Sequence, residues 1–184
     1  MTEPPFFAPT RSIKVRRLET DDVASYRELR LEGLKSHPEA FASSWEQEAE
    51  KPASWWTERL QSSTVLGGWV DGSPLLGVAG LRVQDAVKLR HKGVLWGMYV
   101  RPEARGMGLA AALVQRALEH AVPLVEELCL TVVTSNVAAC RLYRAAGFKE
   151  YGLERRALKV GSEYYDEMLM ALQLGPRPEL ARGD

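Results

Sequence analysis

The sequence has no excess of charge of either sign. Lys and Arg together number 24, Asp and Glu together also number 24, and the formal net charge is zero. Proteins that bind nucleic acid or an acidic membrane surface by charge neutralisation carry an excess of basic residues. The balance therefore argues against a nucleic-acid partner and against a membrane partner.

Residues that commonly bind metals are scarce. The two cysteines, Cys129 and Cys140, stand in apolar segments without CxxC spacing, and the three histidines are scattered. Neither set has the spacing of metal ligands, and a cysteine in apolar surroundings is typical of a small buried side chain. We therefore expect buried thiols and no metal site.

Long apolar runs are missing as well. No run approaches the roughly 18 residues of a membrane span, and Met1 to Phe7 lacks the basic flank and apolar stretch of a signal peptide. A soluble cytoplasmic protein is the expectation. Prolines and weak periodicity at both ends predict a flexible tail over residues 1–11, a single domain over 12–174 and a second flexible tail over 175–184.

Strand and helix patterns alternate between the two tails, as in an α/β protein. Residues 12–18 predict a strand, and two helices follow, the second from about Pro52. Asp71-Gly72 indicates an antiparallel hairpin. The remaining elements are strands near 64–71, 75–85 and 92–100, a helix over 106–120, a strand over 128–133, a helix over 136–146, and strands near 148–158 and 164–173.

The segment that links the strand near 92–100 to the next helix has the composition of an anion-binding loop. Gly106 and Gly108 remove side chains where backbone amides could close around an anion, and the helix N-terminus adds its unpaired amides. Arg105 contributes a guanidinium suited to phosphate. The loop therefore suits a pyrophosphate, and the alternative is a glycine-rich turn without a ligand.

Two other nucleotide-binding patterns fail on context. Gly106-x-Gly108-x-x-Ala111 fits a loose dinucleotide fingerprint, which should open a βαβ unit with an acid at the end of the next strand. Here Glu126 and Glu127 precede that strand instead, and antiparallel hairpins occupy the region before the loop. The P-loop pattern GxxxxGK[ST] is absent from the sequence.

Two motifs resemble those of the GNAT superfamily of N-acetyltransferases. Arg105, Gly108 and Ala110 match its acetyl-CoA pattern [QR]-x-x-G-x-[GA], and residues 136–148 are similar to its segment N-x-x-A-x-x-[LF]-Y-x-x-x-G-F. The resemblance covers roughly residues 12–174. It implies an α/β (α+β) fold with a mixed, mostly antiparallel sheet of about seven strands, flanked by about four helices, in which strands 4 and 5 are parallel and splayed.

The resemblance also implies an acyltransferase, which moves the acetyl group of acetyl-CoA to a primary amine of a small molecule or peptide in a ternary complex. Family members are often monomers or homodimers. Tyr143 would be the catalytic residue that protonates the leaving thiolate, and Asn136 would contact the pantetheine arm. The other implied cofactor-binding residues are Met98, Tyr99 and Val100 for the arm, and Arg105, Gly106, Met107, Gly108, Leu109 and Ala110 for the pyrophosphate.

Some positions leave alternatives open. Tyr143 also suits a core aromatic, and Asn136 also suits a helix cap. Strand 4 has no carboxylate where many members of the family carry a glutamate that takes the amine's proton. The base is therefore open between solvent and the candidates His91, Glu46, Glu163 and Asp166.

The lack of that glutamate also leaves an alternative function open, a non-catalytic acyl-CoA-binding regulatory module. If the protein is an enzyme, we expect substrate choice to lie in the segments 36–51 and 159–165. Carboxylates beside aromatics would suit a cationic amine there, as in Phe41, Trp45, Glu46 and Glu48 of the first segment.

Overall fold

A computed structural model describes residues 11–176 and contains one seven-stranded sheet in the order β1-β2-β3-β4-β5-β7-β6. The strands are β1 Ile13–Arg17, β2 Thr64–Val70, β3 Gly77–Val83, β4 Lys92–Val100, β5 Glu127–Val133, β6 Lys149–Val160 and β7 Glu163–Gln173. β4 and β5 are parallel, and the other neighbouring pairs are antiparallel. The predicted mixed, mostly antiparallel sheet is confirmed.

Four helices of nine residues or more flank the sheet: α1 Val23–Ser36, α3 Ala53–Ser62, α4 Leu109–Ala121 and α5 Val137–Ala145. A further short helix, α2, spans Trp45–Ala49, where the sequence patterns predicted none. Its N-terminus is a capping box in which Ser44 and Gln47 satisfy each other's backbone amides. The spacing S-x-x-Q was the signal that could have identified it.

The predicted tails at 1–11 and 175–184 lie almost wholly outside the described residues, and the predicted limits of the domain stay a prediction. Within residues 11–176, no helix combines the length and the apolar character that crossing a bilayer requires.

The helices pack on both faces of the sheet and form two apolar clusters. Adjacent residues of one strand point to opposite faces, so Leu66 joins the cluster beneath α4 and α5 while Val65 joins the cluster beneath α1 and α3. The second cluster contains Trp56, the largest fully buried side chain. The central strands are therefore buried on both faces.

Close packing against glycines fixes the start of α4 on the sheet. A Cβ atom at Gly68 would lie 2.6 Å from Cδ1 of Leu109, and one at Gly77 would lie 2.9 Å from Cδ1 of Leu113. Both leucines are fully buried. Because only glycine permits this approach, the N-terminus of α4 is held at a fixed position beside the end of β4.

Candidate active site

β4 and β5 part in the middle of the sheet. Their ladder contains only the pairs Lys92–Glu127, Gly93–Leu128 and Val94–Cys129. A cavity of about 680 Å³ lies along the opening beyond these pairs. We call this cavity the cleft, and its position confirms the predicted splay of strands 4 and 5.

A bulge in β4 accompanies the opening. Trp96 pairs with Gly80 and Tyr99 with Val78, so Gly97 and Met98 together face the single residue Ala79. Gly97 has φ +63°, a left-handed value that glycine adopts without strain. Bulges bend the strand that carries them, and this one lies where β4 runs apart from β5.

Most of the predicted cofactor-binding residues line the cleft, but two do not. Met107 packs against the apolar core with its side chain, and the side chain of Leu109 is fully buried there. Of these two residues, only backbone groups could take part in binding. The predicted residues that do line the cleft are Met98, Tyr99, Val100, Arg105, Gly106, Gly108, Ala110, Asn136 and Tyr143.

The glycine loop leaves the N-terminus of α4 open toward the cleft. Gly106 and Gly108 have φ values of +72° and +88°, so α4 begins at Leu109 instead of the predicted residue 106. Gly108 is the N-cap and supplies no side-chain hydrogen bond. The first amides of the helix have no partner within it, because intrahelical bonding begins with the amide of Ala112 to the carbonyl of Gly108.

Arg105 is held between the strand end and a histidine. Its Nε donates to the carbonyl of Val100 at 3.1 Å, and its Nη2 lies 3.1 Å from Nε2 of His37. A guanidinium only donates, so Nε2 of His37 must accept, and Nδ1 then carries the proton toward Glu39 at 3.3 Å. His37 and Glu39 both line the cleft. They lie in the segment 36–51, where we expected substrate choice, but no sequence motif singled them out.

Asn136 is the N-cap of α5. Its Oδ1 accepts a hydrogen bond from the amide of Ala139 at 3.1 Å, as the capping alternative predicted. Its Nδ2 has no hydrogen-bond partner among residues 11–176, and the residue is exposed at the cleft. Asn136 therefore caps the helix with one atom and keeps a donor available to a ligand with the other.

Tyr143 lies deep in the cleft wall on α5, and only 7% of the residue is exposed. Its ring packs edge-on against Phe148, and its hydroxyl donates to Sδ of Met98 at 3.4 Å. Burial raises the pKa of this phenol above its ordinary value. The group is therefore a protonated donor at neutral pH, and its present acceptor is a weak one.

The predicted candidates for a base do not line the cleft. His91 stands just before the paired end of β4, and Glu46 is exposed on α2. Glu163 is exposed beside the turn between β6 and β7. Asp166 accepts the amide of Arg156 at 2.8 Å, so one of its carboxylate oxygens is already engaged.

Glu48 also does not serve the site as the sequence analysis expected. It is buried, with Arg30 bound to both of its oxygens at 2.9 and 3.0 Å and Nη1 of Arg59 at 3.2 Å. The aromatics nearby already stack with the protein's own cations, Arg30 over Phe41 and Lys35 over Trp45. A cationic amine therefore finds no free Glu48 carboxylate, and one face each of Phe41 and Trp45 is already taken by a cation of the protein.

Phe41, named in the segment expected to choose the substrate, lines the cleft. Trp96 of β4 and Thr131 of β5 also line it, and the sequence did not indicate them because they come from distant segments. Among residues 11–176, no three His, Cys, Asp or Glu side chains are grouped so that they could hold a metal ion.

The fold is similar to those of several solved acetyltransferases. An acetyltransferase of the GNAT family from Streptococcus pneumoniae is 23% identical, with a TM-score of 0.77 over 89% of this chain and 100% of that chain. A GNAT superfamily phosphinothricin acetyltransferase from Sinorhizobium meliloti, solved with acetyl-CoA, is 19% identical, with a TM-score of 0.77 over 94% of this chain and 96% of that chain.

A ribosomal-protein-alanine N-acetyltransferase from Brucella melitensis is 20% identical, with a TM-score of 0.72 over 87% of this chain and 99% of that chain. At these identities the likeness is one of fold. The sequence itself matches a family model: residues 30–148, more than half of the chain, match the model of the Acetyltransferase (GNAT) family. The motifs, the splayed sheet and this match agree, and the chain belongs to the acetyltransferase (GNAT) family.

Proposed function

We propose that the protein transfers the acetyl group of acetyl-CoA to a primary amine of a small molecule or peptide. The observation that carries the proposal is the meeting of two features at one cleft, the opening between β4 and β5 and the uncapped N-terminus of α4. The first suits an extended arm, and the second suits a pyrophosphate.

The residues at the cleft fit acetyl-CoA along its length. The backbone of Met98 and Val100 lies on the part of β4 that β5 leaves unpaired, where a pantetheine arm can bind like an added strand. The amides from Gly106 to Ala110, in the loop and the first helical turn, would bind the pyrophosphate. A Cβ at Gly106 would meet no atom within 4 Å, so the approach to this loop is open.

Arg105 adds positive charge at the same end of the cleft. Its contacts use Nε and Nη2, and its Nη1 has no hydrogen-bond partner among the described residues. A phosphate that also draws Nη2 away would leave Nε2 of His37 without its donor. We therefore propose that cofactor binding releases His37 from Arg105.

The proposed reaction is direct attack in a ternary complex. The amine nitrogen forms a bond to the thioester carbonyl carbon, the carbon–sulfur bond breaks, and the sulfur leaves with its electron pair. Tyr143 donates its hydroxyl proton to that sulfur. Its position in the cleft wall, with only a thioether as acceptor, supports this role.

The acceptor is proposed only as a class. Structures of similar fold include enzymes named for phosphinothricin and for an alanine of a ribosomal protein, a small molecule and a protein. We also propose a cytoplasmic location and a monomeric or homodimeric state, which cell fractionation and sedimentation would test.

A thiol-release assay tests the function. Purified protein and acetyl-CoA are mixed with a panel of polyamines, amino acids, aminoglycosides and peptides with free N-termini. We expect at least one class of amine to increase CoA release above the rate without amine. Binding of acetyl-CoA without amine-dependent release would favour the regulatory module, and no binding at all would contradict both functions.

A further inference from the structure

A carboxylate of β7 contacts a residue of the cleft wall from the neighbouring strand. Glu167 pairs with Val133 in the β5–β7 ladder, so their side chains lie on the same face of the sheet. Oε1 of Glu167 lies 3.3 Å from the hydroxyl oxygen of Thr131, which donates to it. Thr131 and Val133 both line the cleft, and Glu167, which does not itself line it, is held beside this part of the wall by its contact with Thr131.

This face is opposite the one that carries Tyr143. Val132 and Tyr143 belong to the cluster beneath α4 and α5, and strand alternation places Thr131 and Val133 on the other face. Over β2, β3 and β4 that other face is covered by α1 and α3, and Trp96 packs against their cluster. Glu167 and Tyr143 thus approach the cleft from opposite sides of the sheet.

We propose that Glu167, beside the cleft-lining Thr131, is the general base that accepts the amine's proton through a water molecule. The inference rests on the proposed function. As the nitrogen–carbon bond forms, the nitrogen loses a proton through this water to a carboxylate oxygen of Glu167, which later releases it to solvent. The sulfur takes its proton from Tyr143 on the other face, and the Tyr143 phenolate regains a proton from solvent, so that the protons balance.

The surroundings of Glu167 make it a stronger base than an ordinary glutamate. Burial raises the pKa of its carboxyl, the Thr131 hydroxyl acts to lower it, and the charge of Glu154 raises it further. Glu154 stands directly opposite on β6. A raised pKa brings a carboxylate closer to the proton affinity that amine deprotonation requires.

Other charged groups near Glu167 have partners of their own. Asp166, the preceding residue of β7, lies 3.8 Å from the guanidinium of Arg155. The 3-10 turn Pro38–Ala40 packs against β5 and β6 and contributes Glu39, which lies 3.3 Å from Nδ1 of His37. Glu167 has no ion pair among residues 11–176, and the hydroxyl of Thr131 is its hydrogen-bond partner.

The first test is Glu167→Gln, with Glu127→Gln as the matched control. Glu127 is a half-buried carboxylate on the same face of the sheet, but it lies at the paired end of β4 and β5 and binds Lys92. We expect Glu167→Gln to lower kcat/KM about a hundredfold at neutral pH, the scale of general-base catalysis. Acetyl-CoA affinity should be unchanged, and the control should keep wild-type kcat/KM.

The pH profile distinguishes a base from a structural residue. The base acts when ionised, so kcat/KM of the wild type should rise with pH through the raised pKa of Glu167, and Glu167→Gln should lose this rise. Removing the neighbouring negative charge in Glu154→Gln lowers the pKa of Glu167 and should therefore move the rise to lower pH. Thr131→Val removes the donor and should move it to higher pH.

All variants are assayed with the same alkylamine, so that the pKa of the substrate contributes equally to every pH profile. The inference would be overturned if Glu167→Gln acetylated the alkylamine at the wild-type rate, or if the pH profile shifted in neither Glu154→Gln nor Thr131→Val. The proposed function would be unaffected by either result. Absence of amine-dependent CoA release from the wild type itself would overturn both the inference and the proposed function.

Discussion

The hydroxyl of Tyr143 lies 3.4 Å from the sulfur of Met98, so a helix on one side of the cleft contacts the bulged strand on the other. A thioether is a weak acceptor, and the hydrogen bond adds little to stability. The phenol is therefore nearly a free donor at the place where β4 and β5 part. The ring of Tyr143 packs against Phe148, and the hydroxyl is the group available to donate a proton.

We predict that Tyr143→Phe lowers the rate while leaving binding intact. The change removes one donor and keeps the edge-on contact with Phe148. kcat and kcat/KM should both fall roughly ten- to a thousandfold, the range expected for loss of a general acid. Steady-state kinetics and titration calorimetry with acetyl-CoA would measure the two effects.

An acyl donor with a low-pKa thiol serves as the control, because its sulfur leaves without a proton and should need Tyr143 less. Should the phenylalanine variant turn over acetyl-CoA at the wild-type rate, with chemistry shown to be rate-limiting, Tyr143 would be a core aromatic alone.

Substitutions at Gly108 should separate charge from shape at the glycine loop. Gly108 has φ +88°, a value that Asn and Asp tolerate better than other side chains. Gly108→Asp places a carboxylate where the pyrophosphate is proposed to bind, and Gly108→Asn has almost the same size without the charge. We expect calorimetry to show acetyl-CoA binding weakened at least tenfold more by Asp than by Asn, a difference of about 1.4 kcal/mol.

Thermal melts would check that both Gly108 variants stay folded. Equal affinities of the two variants for acetyl-CoA would mean that no anion binds at the loop.

Glu48→Gln should destabilise the protein in a pH-dependent manner. Burial acts to raise the pKa of Glu48, but Arg30 and Arg59 outweigh it and hold the pKa below its usual value. Removing the carboxylate leaves two guanidiniums without their counter-charge, at a cost of about 3–5 kcal/mol at neutral pH. Urea unfolding of the two proteins would measure this difference.

The sign of the pH dependence follows from the lowered pKa. Stabilisation by ionised Glu48 is fully present above the pKa of an unfolded glutamate, about 4.3, and is lost as pH falls through the lower folded value. The stability gap between wild type and Glu48→Gln should therefore narrow in acid. A gap that stays constant between pH 7 and pH 3 would contradict the ion pair as its source.

Gly80→Ala should displace Trp96 in the wall of the cleft. A Cβ at Gly80 would lie 2.3 Å from Cε2 of Trp96, so the indole has to move. We expect a loss of about 1–3 kcal/mol in the free energy of unfolding from overpacking, together with a higher KM for the amine. Adding Trp96→Phe should recover part of the stability, and a single variant as stable as the wild type would contradict this packing.

Local patterns predicted most of the fold. The Asp71-Gly72 turn, the strand over 128–133 and the helix over 136–146 all depend on residues close together in the chain, and each element is present. The errors are local too. α4 starts three residues after the predicted position because the left-handed Gly106 and Gly108 delay the first helical turn. α2 was missed because five residues are too few to show helical periodicity.

The roles of carboxylates could not be predicted in the same way, because they depend on partners far away in sequence. Glu48 is a charged residue in a loop by its pattern, but Arg30 and Arg59 bury and neutralise it. Glu167 is a strand residue in an alternating run, and its position beside the cleft-lining Thr131 depends on pairing with Val133, 34 positions earlier.

The sequence by itself determined the family and the position of the glycine loop before α4, because motif spacing and the conformational freedom of Gly106 and Gly108 are local properties of the chain. Only the tertiary structure decided which side chains share the cleft. β4, β5 and β7 are adjacent through long-range pairing, and the break between β4 and β5 lies close to a bulge that β4 forms against β3. Charge and burial at Glu48 and Glu167 follow from that assembly, since desolvation and ion pairing depend on neighbours in space.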